Sequence, residues 1–305
     1  MKIKGSRAKR FYESRYLMLL FLPAAIYYII FCYGPMFGLI MAFQDFIPGK
    51  GFLQSQFVGF ENFAEYFQSP NFFRTVKNTF LLGAYATIWS FPIPIIFALL
   101  LNELKDGPFK RIIQSVSYLP RFVSVVVIVG IMMNMLRYGD GVVNMMLQSL
   151  GMEQINFFNE QSWFRTLFIA SDIWQGFGWN SIIYIAAITG INYSLYEAAD
   201  MDGASRLNKM FHITLPSISG TIIILLILTL GNVMSVGFEK IILMYNPSIY
   251  DVADVISTYT YRKSFFGGSD YGLSSAIGMF NSFVNFILLI VFNSMSKKLT
   301  STSLY

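Results

Sequence analysis

The sequence holds one cysteine, Cys32, and one histidine, His212, in 305 residues. A single cysteine excludes an internal disulfide framework, and a single histidine excludes a histidine-based metal cluster. Charge is scarce too: Asp, Glu, Lys and Arg make up 13% of the chain, about half the share usual in soluble domains. No G-x-x-x-x-G-K run followed by Ser or Thr occurs, PGKG at 48–51 being the nearest approach. The chain therefore carries no P-loop and is not expected to hydrolyse ATP by itself. A formal net charge of +5 does not point to nucleic acid, because the basic residues fall beside apolar spans rather than along one hydrophilic face.

What is present is apolar bulk. Hydrophobic residues are 55% of the chain, with 31 Phe, 18 Tyr and 16 Met, and the mean hydropathy is +0.53. Six segments read as membrane helices by length and apolarity, at 17–43, 78–101, 122–138, 166–190, 217–236 and 273–295. The third has an ambiguous start: Ile112 to Leu119 reads as an amphipathic approach or as its first turns, interrupted by Pro120. Pro92 and Pro94 read as kinks in the second. The first, preceded by the basic MKIKGSRAKR, is too long for a signal-peptide core and lacks a small-residue cleavage site, so it is expected to remain as an anchor. Six crossings put both termini on one side. Fourteen of the 22 basic residues fall on that side, and the positive-inside rule makes it cytoplasmic. No internal repeat is visible. Three outer loops of about thirty residues exceed the usual connection between packed helices and are expected to receive a docking partner.

One cytoplasmic stretch, EAADMDGASRLNKMFHITLP at 197–216, carries unusual charge between the fourth and fifth spans. Ser194 and Glu197 have the spacing of a capping box, which predicts a helix from about Leu195. Gly203 suits a left-handed helix stop. A second helical piece is expected from Ala204 to His212, with Ala204, Leu207 and Phe211 on one side and Arg206 and Lys209 facing water. Leu215-Pro216 is expected to end it. On local physics alone this is equally a well-capped surface loop.

The pattern E-A-A, three residues, G, nine residues, I, one residue, L-P is met by Glu197, Ala198, Ala199, Gly203, Ile213, Leu215 and Pro216. It resembles the EAA loop of the membrane subunits of binding-protein-dependent ABC importers, in the carbohydrate form that continues through Asp202, Ala204 and Thr214. Met210 departs from that form, where an aromatic residue is common, and Phe211 stands beside it. SYLPRFVS at 117–124, SDIWQGFGWNSIIYIAAI at 171–188, NVMSVGFEKIILMYNP at 232–247 and the closing Ser303-Leu304-Tyr305 are similar to the polysaccharide and oligosaccharide branch, alginate-type importers included.

The resemblance implies an all-α integral membrane protein of the type I ABC importer permease fold, with six transmembrane helices and cytoplasmic termini. It implies a tail at 1–16, a permease domain at 17–295 with its coupling loop at 191–216, and a tail at 296–305. Glu197, Ala198, Ala199, Asp202, Gly203, Ala204, Ile213, Leu215 and Pro216 would couple to an ATPase. The implied partners are a second permease, an ATP-binding subunit dimer, an external substrate-binding protein and a carbohydrate, in a bacterial cytoplasmic membrane. No cofactor belongs to the chain itself, since ATP and Mg would sit on the ATPase subunits.

Ionisable and amide residues within spans are the expected substrate path. Asp172, Gln175 and Trp179 share one face of the fourth span at i, i+3 and i+7, although Asp172 equally reads as pairing with another subunit. Asn134, Asn232, Asn281 and Asn285 occupy the third, fifth and sixth spans, where amides also serve to join helices. Trp174 and Tyr184 read as core or interface aromatics. Two other functions stay open at this stage: an ABC permease for a non-sugar solute, and an ion-coupled carrier, which would need a second intramembrane carboxylate beside Asp172. A membrane enzyme would need partners that His212 lacks.

Overall fold

The computed structural model describes residues 14–266 and 270–300. Most of the expected N-terminal tail, and the Ser303-Leu304-Tyr305 end, lie outside the described residues. In chain order the main elements are α1 (Arg15–Tyr27), β1 (Gln44–Asp45), β2 (Gln56–Phe57), α2 (Glu61–Gln68), α3 (Phe72–Ser90), α4 (Pro92–Asn102), α5 (Pro108–Tyr118), α6 (Val125–Met135), α7 (Val142–Ser149) and α8 (Gln161–Thr189). They continue with α9 (Ser194–Met201), α10 (Arg206–Lys209), α11 (Ser219–Gly231), α12 (Phe238–Met244), α13 (Ile256–Phe265) and α14 (Tyr271–Thr300).

Among the described residues three helical stretches are long and apolar enough to cross a membrane: Arg15–Phe43, Phe72–Asn102 and Tyr271–Lys298. Two bent pairs, Pro108–Phe122 with Val125–Met135 and Arg206–Ser217 with Ser219–Gly231, raise the number to five if each is one span. The fourth expected span coincides with α8, whose 29 residues reach about 43 Å. Asp172, Gln175 and Asn180 interrupt its apolarity, so it falls outside that set.

The spans depart from expectation where backbone pairing is interrupted. The third is not one helix over 122–138: α5 and a 3-10 turn at Leu119–Phe122 precede α6, and the two parts cross at 97°. Pro120 lacks an N–H, and Ser124 is extended and accepts from Val127 N–H at 3.4 Å, which restarts the helix as a cap. The fifth ends at Gly231 rather than 236. The second begins earlier, at Phe72, and passes Pro92 and Pro94 with Phe91 still in helical geometry.

The chain divides into two compact units. The first comprises residues 1–68 and 263–279. In it the apolar stretch from α1 turns π-helical at Tyr28–Tyr33 and 3-10 at Phe37–Phe43 before entering the β1–β2 hairpin, where Gln44 pairs with Phe57 and Asp45 with Gln56. Asn62 of α2 donates to the carbonyls of Ala42 and Gln44, both at 3.0 Å, and fixes the hairpin to its own helix.

The second unit comprises residues 69–262 and 280–305. One of its cores gathers Leu82, Val129, Phe164, Phe168, Ile169, Ile241 and Met244. Another joins Ile95, Ala98, Leu99, Tyr184 and Ile188 to Met210 and Ile218, so the segment that follows α9 is seated against the spans by apolar contact. Glycines allow the closest approaches. A Cβ on Gly83 would lie 1.8 Å from the Val233 carbonyl oxygen, and one on Gly178 would lie 2.2 Å from that of Ser117.

The loops expected on the outer side are folded in this unit. Asn144, fully buried on α7, donates to the carbonyls of Leu136, Arg137 and Ile155 and accepts from Ile155 N–H at 2.8 Å. Asp254 is also fully buried. It accepts from Arg262 at 2.7 Å, Arg74 at 3.2 Å and Thr258 at 2.9 Å, while Asn78 donates to its backbone carbonyl at 3.0 Å. Burial disfavours the Arg262 cation, but its hydrogen bonds to Asp254 and Tyr245 and the charge of Asp254 outweigh that, so its pKa lies above the ordinary guanidinium value.

Removing one member of a buried, hydrogen-bonded ion pair typically costs about 3–5 kcal/mol, because the remaining charge is stranded. Asp254→Ala is therefore expected to lower stability by roughly 3 kcal/mol, read as an earlier unfolding midpoint in detergent. A midpoint equal to the parent's would show that the two arginines do not need the carboxylate.

Candidate functional site

The loop between α8 and α11 contains the motif. Ser194 does not cap α9: no side-chain cap bond forms, and Asn192 instead accepts from Ser194 N–H at 3.1 Å. The chain turns helical one residue earlier than the capping box requires, which places the Ser194 hydroxyl inside the helix. Glu197 lies in the first turn, exposed, where its charge suits the positive end of the helix. Ala198 is exposed and Ala199 partly so.

Gly203 ends α9 with φ +74°. Its N–H donates to Asp200 O at 3.1 Å and the Ala204 N–H donates to Ala199 O at 2.9 Å, the two bonds of a Schellman stop. Asp202 is the C-cap. Ser205 then accepts from Asn208 N–H at 3.3 Å and opens α10.

The second helical piece does not end at Leu215-Pro216. It widens into a π turn at Met210–Thr214, continues through Leu215–Ser217, and breaks at Ile218 with a 60° change of direction into α11. Pro216 sits in the first turn of that short helix, where a missing N–H is tolerated. The π turn also rotates the buried face. Leu207 and Phe211, expected to face inward with Ala204, are 63% and 54% exposed, and Met210, Thr214 and Ile218 are buried instead.

Two contacts tie the limbs of the loop together. Tyr196 and Thr214 share a hydroxyl hydrogen bond at 2.8 Å, and Lys209, which is not left facing water, pairs with Asp200 at 2.6 Å. Thr214 also donates to Lys209 O at 3.4 Å. Ile213 and Leu215 are partly buried and Pro216 is exposed. Tyr193, Leu195, Met201, Leu207 and Phe211 remain exposed, so the loop presents apolar surface that none of the described residues covers.

The other feature is a cavity of about 1450 Å³ within the second unit, open on one side. Asp172, Gln175, Trp179 and Asn232 line it, together with Arg121, Asn180, Tyr184, Glu239 and Lys240. Asp172 has a partner inside the chain: Lys240 Nζ lies 3.1 Å from its Oδ1. Gln175 donates to Val123 O at 3.0 Å and thereby holds the broken third span against α8. Trp179 packs edge-on against Phe122 with ring centroids 5.7 Å apart.

The remaining three asparagines lie elsewhere. Asn134 donates to Gly130 O on its own helix at 2.9 Å and accepts from Arg137. Asn285 accepts from Met234 N–H at 3.1 Å and donates to Ser235 at 2.9 Å, joining α14 to the segment after α11. Asn281 Oδ1 is buried without a hydrogen-bond partner among the described residues. Asn232, although on the cavity wall, donates to Leu228 O at 2.9 Å.

Sequence reasoning overlooked Arg121, Glu239 and Lys240 at the cavity, because all three fall outside the apolar cores of the spans. The available signal was Glu239-Lys240 set between the apolar runs of NVMSVGFEKIILMYNP. A charged pair flanked by such runs has to face either solvent or a counter-ion.

Apolar helices around an open cavity whose mainly apolar wall carries a few charged and amide groups, with an amphipathic loop exposed among the described residues, define a membrane transport component. Residues 90–301 match the family model described as "Binding-protein-dependent transport system inner membrane component", and the chain belongs to that family. It is 41% identical over 293 residues to Protein LplB of Bacillus subtilis (strain 168), covering 96% of this chain and 92% of that protein. The polygalacturonan/rhamnogalacturonan transport system permease protein YteP of the same organism is also 41% identical, over 96% of this chain and 91% of that protein.

Among solved structures, a chain of a bacterial alginate ABC transporter, in complex with an alginate pentasaccharide-bound periplasmic protein, aligns with a TM-score of 0.88. It has 40% sequence identity and covers 98% of this chain and 100% of that one. A second structure, of a bacterial ABC transporter involved in import of the acidic polysaccharide alginate, aligns with a TM-score of 0.86 and 41% identity, over 96% of this chain and 98% of that one.

The Tyr196–Thr214 bond is the direct link between the motif helix and the base of α11. A neutral hydrogen bond contributes about 1 kcal/mol net, so Tyr196→Phe or Thr214→Val should speed amide hydrogen exchange across 206–217 about fivefold. Identical exchange in both variants would mean that the Lys209–Asp200 pair and apolar seating hold the loop without this bond.

Proposed function

We propose that the chain is the permease subunit of an ATP-driven importer that carries an oligosaccharide or polysaccharide across the bacterial cytoplasmic membrane. The observation that carries the carbohydrate reading is the 40% identity, over 98% of the chain, with a chain of a bacterial alginate ABC transporter. The chemistry of the cavity supports it. Asp172, Gln175, Asn180 and Asn232 offer acceptors and donors for hydroxyl groups, and Trp179 offers an apolar ring face to a pyranose. At about 1450 Å³ the cavity exceeds the roughly 300–1,000 Å³ of small-ligand pockets, which suits several sugar rings.

The mechanism is alternating access between this permease and a second one. Substrate arrives on an external binding protein that docks on the outer loops. A pair of ATPase subunits, which bind ATP and Mg, closes on hydrolysable nucleotide and moves the loop at 191–216. Glu197, Ala198, Ala199, Asp202, Gly203, Ala204, Ile213, Leu215 and Pro216 form the coupling element. Exposed Ala198 lets a foreign surface approach the backbone closely, and exposed Leu207 and Phe211 supply apolar area for the seat. The Schellman stop at Gly203 and the Tyr196–Thr214 bond make the loop stiff enough to push on α11. An ion-coupled carrier is less favoured, because Asp172 is paired with Lys240 rather than with a second carboxylate.

The test is uptake by membrane vesicles that contain the assembled importer and its binding protein. Uptake should require internal ATP and survive collapse of the proton gradient. Glu197→Lys, which reverses charge on an exposed side chain, and Gly203→Pro, whose φ of +74° proline cannot adopt, should both insert normally. Each should keep ATP hydrolysis while lowering uptake by about tenfold or more. Uptake equal to the parent's in Glu197→Lys would remove this loop from the coupling pathway.

A further inference from the structure

The Asp172–Lys240 pair is lopsided. The Lys240 side chain is 5% exposed and that of Asp172 is 48% exposed, at an Nζ to Oδ1 distance of 3.1 Å. The ammonium also lies 5.1 Å from the centre of the Phe168 ring. Its helix, α12, is locked in place by Ile241 and Met244, which are buried in the same core as Phe164 and Phe168. Both side chains line the cavity, but the cation is fixed from behind and the carboxylate is the more exposed member.

A surface ion pair would leave both partners free to reorient. Here one carboxylate oxygen is tethered by a charge-assisted bond, so the remaining lone pairs keep a defined direction. Gln175, three residues on, is held in the same way through Val123 O. Two acceptor-bearing side chains on one face of α8 are therefore oriented by groups outside α8.

We propose that Lys240 is a positioning residue for transport: it aims the Asp172 carboxylate into the cavity as an acceptor for sugar hydroxyls and keeps that wall electrically neutral. This inference rests on the reading of the cavity as a sugar path. It differs from simple compensation of a buried charge, in which the pair would be replaceable by any neutral couple.

The experiment uses the assembled importer in vesicles, with a neutral pentasaccharide and a uronate pentasaccharide as probes. Lys240→Met is expected to raise KM for the transported probe by about tenfold, with the maximal rate per assembled complex within about twofold. Lys240→Arg should bring KM back to within about threefold of the parent. The double variant Asp172→Asn, Lys240→Met should recover the yield of assembled complex but not the parent KM. Parent KM in Lys240→Met, or in the double variant, overturns the proposal.

A second measurement needs no sugar. In a Cys32→Ala background, Asp172→Cys is labelled with anionic and cationic thiosulfonates, with and without Lys240→Met. Loss of the ammonium should lower the anionic-to-cationic rate ratio by about fivefold. An unchanged ratio overturns the proposal, because the Lys240 charge is then not felt at the cavity surface. If the parent vesicles take up neither pentasaccharide, the carbohydrate reading falls, and the labelling ratio still decides whether Lys240 governs position 172.

Discussion

A charge withdrawn from water has to meet an opposite charge or a set of hydrogen bonds, and the second unit is organised around two such obligations. Asp254, fully buried, draws Arg74 from the start of α3 and Arg262 from α13 onto one carboxylate. Lys240, nearly buried on α12, draws Asp172 of α8. Between them these pairs tie the segment 238–262 to two long helices. The neighbouring contacts follow from that attachment: Asn78 donates to the carbonyls of Asp251 and Asp254, Thr79 accepts from Ile256 N–H, and Tyr245 and Tyr250 stack beside Arg262. The aromatic rings cover the guanidinium and add cation–π attraction.

The two pairs use the same physics for different ends. At Asp254 the acid is hidden and its arginines are partly exposed, so the network closes on itself and its product is rigidity. At Lys240 the base is hidden and the acid is presented. Polarity inside an apolar bundle is tolerated in both places, yet only one leaves an ionic group facing an open volume. That difference in exposure, rather than the presence of charge, separates a structural clamp from a surface able to meet cargo.

Much of this was legible in the sequence. Apolar length located the long helical stretches, since a run of bulky residues in which backbone groups have no water to bond must become helix. The glycine stop at Gly203 was legible because only a φ near +74° satisfies the Schellman pattern with the following Ala204. The cap expected at Ser194 fails because the helix starts one residue earlier: the Glu197 N–H that it would accept donates to Tyr193 O at 3.2 Å, and the Ser194 N–H goes to the Asn192 carboxamide. The buried face after Ser205 was misread because a π turn breaks the 3.6-residue period on which the reading of Leu207 and Phe211 relied. Lys240 was hidden because its partner lies 68 residues away, a separation that no local pattern encodes. The 97° bend before α6 had a visible cause in Pro120, but its size depends on the contacts of Ser117 and Val123 with α8.

Those contacts constrain where the cavity wall can yield. Gly178 admits Ser117 so closely that no side chain fits between them, and Gly83 admits Val233 in the same way. Gly231 faces Leu289 of α14, where a Cβ would stand 2.5 Å from the leucine side chain. Backbone packed against backbone transmits displacement rather than absorbing it, so α8 with α5, and α3 with the segment after α11, act as stiff pieces of the wall. The chain leaves helical geometry at Val123-Ser124, where both residues are extended, and bends at Ile218, with φ −94° and ψ 3°. A change in cavity shape is cheapest at these joints, where the backbone already departs from regular helix. The joint at Ile218 lies directly between the π turn and α11. In the proposed coupling, a push on the loop at 191–216 would reach the cavity residues Leu225, Leu228 and Asn232 through that joint.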